Sequence, residues 1–119
     1  MTVLYVALGC ALGGVCRNAV SQALNPAAGC PWGTLAVNVL GSLAIGILSG
    51  WLAQGVAGMA AIRAFAVVGF CGGFTTFSTF SNETFRLLES GQWGLMALYA
   101  GLSVLAGLGA VALGYLISR

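Results

Sequence analysis

The sequence predicts an all-α integral membrane protein with four crossing helices, the third of them broken near mid-membrane. Three observations predict it. Apolar residues make up 60% of the 119-residue chain and charged residues 5%, whereas soluble domains run to about 45–50% and 25%. The apolar stretches are separated by short turns and each is near the roughly 20 residues that a helical crossing takes. They fall at about 3–24, 32–53, 64–88 and 93–117, a single four-helix membrane domain over residues 1–119. Third, the centre of the third stretch, where apolarity should peak, is dense in glycine and hydroxyls.

That centre is Gly69-Phe-Cys-Gly-Gly-Phe-Thr-Thr-Phe-Ser-Thr-Phe-Ser-Asn82. Gly72 and Gly73 loosen the backbone, because glycine has the heaviest helix penalty after proline. Thr75, Thr76, Ser78, Thr79 and Ser81 supply polar groups, and Phe74, Phe77 and Phe80 recur every third residue. Unwound backbone at membrane depth survives only inside protein or along a watery cavity, since each unsatisfied group costs several kcal/mol. The stretch therefore predicts a site at the break, with half-helix ends and freed carbonyls pointing at an ion.

Charge narrows the function classes. Four arginines and two glutamates are scattered along the chain without a basic run, so nucleic acid is not the expected partner. Histidine is absent, and Cys10, Cys16, Cys30 and Cys71 match no metal spacing; they are expected to fill space between helices. No basic residue precedes the first apolar run, so that segment is expected to stay attached rather than be cleaved as a signal.

The first crossing is apolar to Cys16 and then polar through Arg17, Asn18, Ser21 and Gln22. Gly9 and Gly13 form a GxxxG pair that admits a close neighbour. Arg17 either reaches the headgroups with its long stem or serves function within the span. Asn25 to Pro31 makes a turn. Trp32 and Trp51 then bracket the second crossing at about 28 Å, close to the hydrocarbon thickness. Asn38 lies about two turns inside it, where an amide needs a partner: an interhelical hydrogen bond or a pore-lining role would each supply one. Gly46 and Gly50 repeat the close-packing spacing.

A polar connection over 54–63 precedes the third span. Glu83, Arg86 and Glu89 stand near its end and mark the interface, at i, i+3 spacing. Ser90-Gly91-Gln92 turns the chain into the last crossing, which opens on Trp93. Tyr99 and Ser103 share one of its faces, continued by Ala106, Ala110 and Gly114.

Four crossings put Arg63 and Arg119 on one side of the membrane. Arg86 lies on the other, joined by Arg17 if it reaches the headgroups. So even a balance gives the positive-inside rule almost nothing to act on. We therefore expect insertion both ways round and an antiparallel, dual-topology homodimer about a two-fold axis in the membrane plane.

Three stretches together resemble the Fluc (CrcB) family of fluoride channels, and the resemblance covers nearly the whole chain. They are Gly13-Gly-Val-Cys-Arg17-Asn18, Gly33-Thr-Leu-Ala-Val-Asn38-Val-Leu-Gly-Ser42 and the long third-span stretch Gly69 to Glu83. The resemblance implies a multi-pass protein of the inner or plasma membrane whose dimer has two pores and exports toxic fluoride passively. It implies that carbonyls of Gly72 and Thr75 from both subunits hold a structural Na⁺ at the dimer axis, a hard cation suited to oxygen ligands. It implies that Phe77 and Phe80 meet the anion with their ring edges, the positive end of the aromatic quadrupole. Asn38 corresponds to a pore asparagine, Ser78, Thr79 and Ser103 to a track of hydroxyl donors, and Tyr99 to a tyrosine at one pore end. Arg17 corresponds to an arginine near a vestibule, where positive potential concentrates anions. The chain departs at Gly107, where some members have a second serine.

Two rival classes fit less well. A four-helix, dual-topology multidrug exporter needs a membrane carboxylate, yet the first crossing has none and Glu83 and Glu89 lie toward a helix end. An accessory helix bundle explains the GxxxG pairs but neither Asn38 nor the hydroxyl-rich stretch. Without histidine, no nucleophile and base can be paired for an enzyme.

Overall fold

A computed structural model describes residues 1–25, 29–55 and 58–119. Parts of the first two expected connections, 26–28 and 56–57, lie outside the described residues. Among the described residues all regular structure is helical: α1 (Thr2–Leu24), α2 (Trp32–Leu52), a composite third span (Met59–Glu89) and α6 (Trp93–Ser118). The third span consists of α3 (Met59–Ile62), a π-helical stretch (Arg63–Cys71), α4 (Gly72–Phe74) and α5 (Phe77–Glu89). Between α4 and α5, Thr75 (φ −92°, ψ 157°) and Thr76 (φ −151°, ψ 126°) are extended. These four spans are each long and apolar enough to cross a membrane, the architecture of an integral, multi-pass membrane protein.

Three spans begin and end within a residue or two of the sequence expectation. The third starts earlier, at Met59 rather than near 64, because Met59-Ala-Ala-Ile-Arg-Ala64 contains nothing that stops a helix, while Gly58 just ahead sits at φ 81°. Its π-wound stretch has i→i+5 hydrogen bonds, a rare winding that leaves no mark in composition. Gly91, at φ 79°, makes the tight turn into α6 in a conformation that side chains disfavour.

The helices pack as two pairs. α1 runs along the first half of the third span, and α2 runs along α6. The small residues explain the closeness of both. A Cβ on Gly9 would collide with the Phe65 carbonyl, and one on Gly13 with the Phe70 carbonyl. Across the other pair Gly46 faces the Val111 carbonyl, and Gly114 faces the Leu43 carbonyl. Backbone therefore meets backbone, the contact that drives helix association in lipid.

Little of the apolar surface is covered by the chain itself. Val3, Leu105 and Ile117 are among many large apolar side chains left exposed. The cysteines divide: Cys30 and Cys71 are buried, but Cys10 and Cys16 are exposed. The expectation that all four fill space between helices thus holds for two of them, because Gly9 and Gly13 turn the glycine face of α1, not its cysteines, to the third span.

Candidate functional site

The extended pair Thr75–Thr76 redirects two main-chain donors. In a continuous helix the Thr76 N–H would donate to the Gly72 carbonyl and the Thr79 N–H to the Thr75 carbonyl. Here the Thr76 N–H donates to Asn38 Oδ1 at 3.0 Å, and the Thr79 N–H donates to Thr76 Oγ1 at 3.2 Å. The carbonyls of Gly72 and Thr75 thereby lose their usual donors. Such oxygens are what a hard cation takes as ligands, and no carboxylate is needed. Among the described residues no cluster of three His, Cys, Asp or Glu could hold a metal.

Asn38 reciprocates from α2. Its Nδ2 donates to the Thr76 carbonyl at 3.3 Å, so the amide meets both main-chain groups of one residue. An N–H needs an acceptor, which fixes Oδ1 toward Thr76 N and settles which way the amide points. The second Nδ2 hydrogen is left over, on a side chain that lines a cavity. Both readings of Asn38 that the sequence left open are therefore compatible in one side chain. Gly41, one turn along α2, makes the approach possible, since a Cβ there would collide with Thr75 Cγ2.

The cavity has a volume of about 280 Å³ and is lined in part by Asn38, Ser42, Thr75, Phe77, Phe80 and Ser103. Phe77 is 79% exposed and its ring lies 6.0 Å from Phe80 at a 44° tilt; Phe80 lies 5.3 Å from Tyr99 at the same tilt. Tilted rings present edges as well as faces, and the edge is electropositive. Among the described residues the buried Ser103 hydroxyl has no hydrogen-bond partner. Leaving such a group unmet costs about 1–3 kcal/mol, so it is a donor that a polar ligand in the cavity would satisfy.

A second cavity, about 400 Å³, opens where α5 ends, lined by Asn25, Thr79, Asn82, Glu83, Arg86 and Gln92 among others. Glu83 accepts a 2.6 Å hydrogen bond from the Thr34 hydroxyl. Asn25 Oδ1 accepts from the N–H groups of Gly33 (2.6 Å) and Thr34 (3.2 Å), capping the first turn of α2. Nearby, burial pushes the Cys30 thiol up, with the Glu83 charge adding to it; the group stays protonated and packs as an apolar side chain.

The fold thus gathers Asn38, Thr75, Phe77, Phe80 and Ser103 around one cavity. Thr79 lines the second cavity instead. Tyr99 is fully buried behind Phe80, against Cys30 and Leu87. Ser78 is exposed and lines neither cavity, though its Oγ is 3.4 Å from Thr76 Oγ1. Arg17 is half-buried on α1, also apart from both. Sequence reasoning missed the Thr34–Glu83 contact, which joins residues 49 apart, and it missed Ser42. The signal for Ser42 was legible: it stands four residues after Asn38, on the same helix face.

Comparison with known proteins adds a family. A family model described as "CrcB-like protein, Camphor Resistance (CrcB)" matches residues 4–115. The fluoride-specific ion channel FluC of Novosphingobium aromaticivorans is 46% identical over 119 residues, covering 97% of this chain and 94% of that protein. Proteins of the same name from Hyphomonas neptunium and Nitrobacter winogradskyi are 45% and 47% identical, each over 98% of this chain and 94% of their own length.

Proposed function

This chain belongs to the CrcB family, and we propose that it is a fluoride-selective passive channel exporting toxic fluoride across the inner or plasma membrane. It is a channel and not an enzyme. One observation carries the reading: Asn38, Phe77, Phe80 and Ser103, whose hydroxyl has no partner among the described residues, line one cavity. These are hydrogen-bond donors and electropositive edges without a fixed cation. An anion passing them exchanges hydration for contacts that are weak enough to release it.

In this reading fluoride moves past Asn38, Phe77, Phe80 and Ser103, with Ser78 and Thr79 continuing the hydroxyl track and Tyr99 at one end. Arg17 raises the anion concentration at a vestibule. The third span is broken at mid-membrane, and two copies meet head to tail there, each contributing one pore. The exposure of Gly72 and Phe77 supports a covered face on this span, and the even spread of arginines supports insertion in both orientations. The Gly72 and Thr75 carbonyls of both copies fit a structural Na⁺, which when bound supplies a fixed positive charge at the dimer axis. What supports it is the redirection of the two N–H donors that would otherwise occupy those oxygens.

Purified protein in fluoride-loaded liposomes tests the proposal. Rapid efflux down a gradient, read on a fluoride electrode, is the expected result; liposomes that stay tight overturn it.

A further inference from the structure

Ser42 is half-buried in the wall of the first cavity, one turn beyond Asn38 on α2. The i, i+4 spacing puts both side chains on one face of that helix. Among the described residues no hydrogen bond engages the Ser42 hydroxyl, whereas those of Thr75, Thr84 and Ser118 donate to the carbonyl one turn back. The facing helix, α6, brings Ser103 to the same cavity, and one turn on it sets Gly107 beside Ser42. A Cβ placed on Gly107 would lie 3.6 Å from Ser42 Oγ. At the level of Ser103 the hydroxyl thus comes from α6, and at the next level α6 offers none while α2 offers Ser42.

We infer that Ser42 is a fluoride-contacting residue that donates its hydroxyl to the ion at the level where α6 carries only Gly107. The inference rests on reading the cavity as an anion path. A small, strongly hydrated anion sheds water only where donors replace it, and a hydroxyl donating to an anion makes a short, charge-assisted bond. Being neutral, the hydroxyl also lets the ion leave. Asn38, Ser103 and Ser42 then form a ladder of donors shared between α2 and α6.

A hydroxyl swap tests it. Wild type, Ser42→Ala, Gly107→Ser and the double variant are reconstituted as full-length protein, with assembly checked by size-exclusion chromatography and fluoride efflux measured for each. Ser42→Ala should slow efflux about tenfold or more without changing assembly, since one charge-assisted donor is lost. The double variant should recover most of that loss, because a serine at 107 can reach the space beside residue 42. Full-speed efflux from Ser42→Ala overturns the inference, and so does a slow variant that the serine at 107 does not rescue, which would make Ser42 a packing residue. Wild-type liposomes that hold fluoride would overturn the channel reading along with it, a result distinct from either.

Discussion

Because the Thr76 N–H donates to Asn38 Oδ1 while Asn38 Nδ2 donates back to Thr76 O, this amide cannot be exchanged for its acid without loss. In Asn38→Asp a carboxylate oxygen would face the Thr76 carbonyl, acceptor against acceptor, and its charge would repel the anion in the adjoining cavity. We expect fluoride efflux to fall by about a hundredfold or more, since unscreened like charges at such range cost several kcal/mol; unchanged efflux would remove Asn38 from the path. Phe80 links Phe77 to Tyr99 through two tilted ring pairs. Phe80→Ile keeps most of the apolar volume but removes the electropositive edge. Efflux should vanish while the dimer persists on size exclusion, and normal efflux would show that the ring is only packing.

At the scale of elements, the glycines of the first helix and those of the third span do different work. Gly13 lies where α1 meets the backbone of the third span, so a side chain there strikes a carbonyl and an amide. Gly13→Val should separate these helices and leave little monodisperse protein after purification; a normal yield and elution profile would contradict this packing. Gly72 differs, since a Cβ there meets nothing nearer than the Val67 carbonyl at 4.0 Å within the protomer. Gly72→Val should therefore insert and fold, yet lose any Na⁺ dependence of dimer stability, if its carbonyl serves an ion between copies. A variant dimer that sodium stabilises as it does the wild type would argue against that site. Legibility divides in the same way: the sequence marked Gly13 for close approach and Gly72 for a loosened backbone, but only the fold shows what a side chain at each would meet.

The whole molecule is a slab of 52 × 29 × 19 Å that exposes 6776 Å², where a compact soluble chain of 12.0 kDa exposes about 6,000 Å². Most of that surface is apolar helix, to be covered by lipid tails or by a second copy. In the proposed dual topology, a tag on either terminus should be labelled by an impermeant reagent from both faces in roughly equal shares. One-sided labelling would end the dual-topology proposal while leaving the fluoride reading standing.

The sequence by itself determined the membrane class, the number of spans and nearly all their limits, because hydropathy and turn chemistry act over a few neighbouring residues. It also singled out Asn38, Phe77, Phe80 and Ser103 one at a time, through composition and resemblance. Tertiary structure alone decided that these four share a cavity, that Asn38 takes the N–H a Gly72 carbonyl would have held, and that Glu83 meets Thr34. Those contacts join residues 38 and 49 positions apart. No local preference encodes such a meeting; it follows from how closely the glycine faces let one helix approach another.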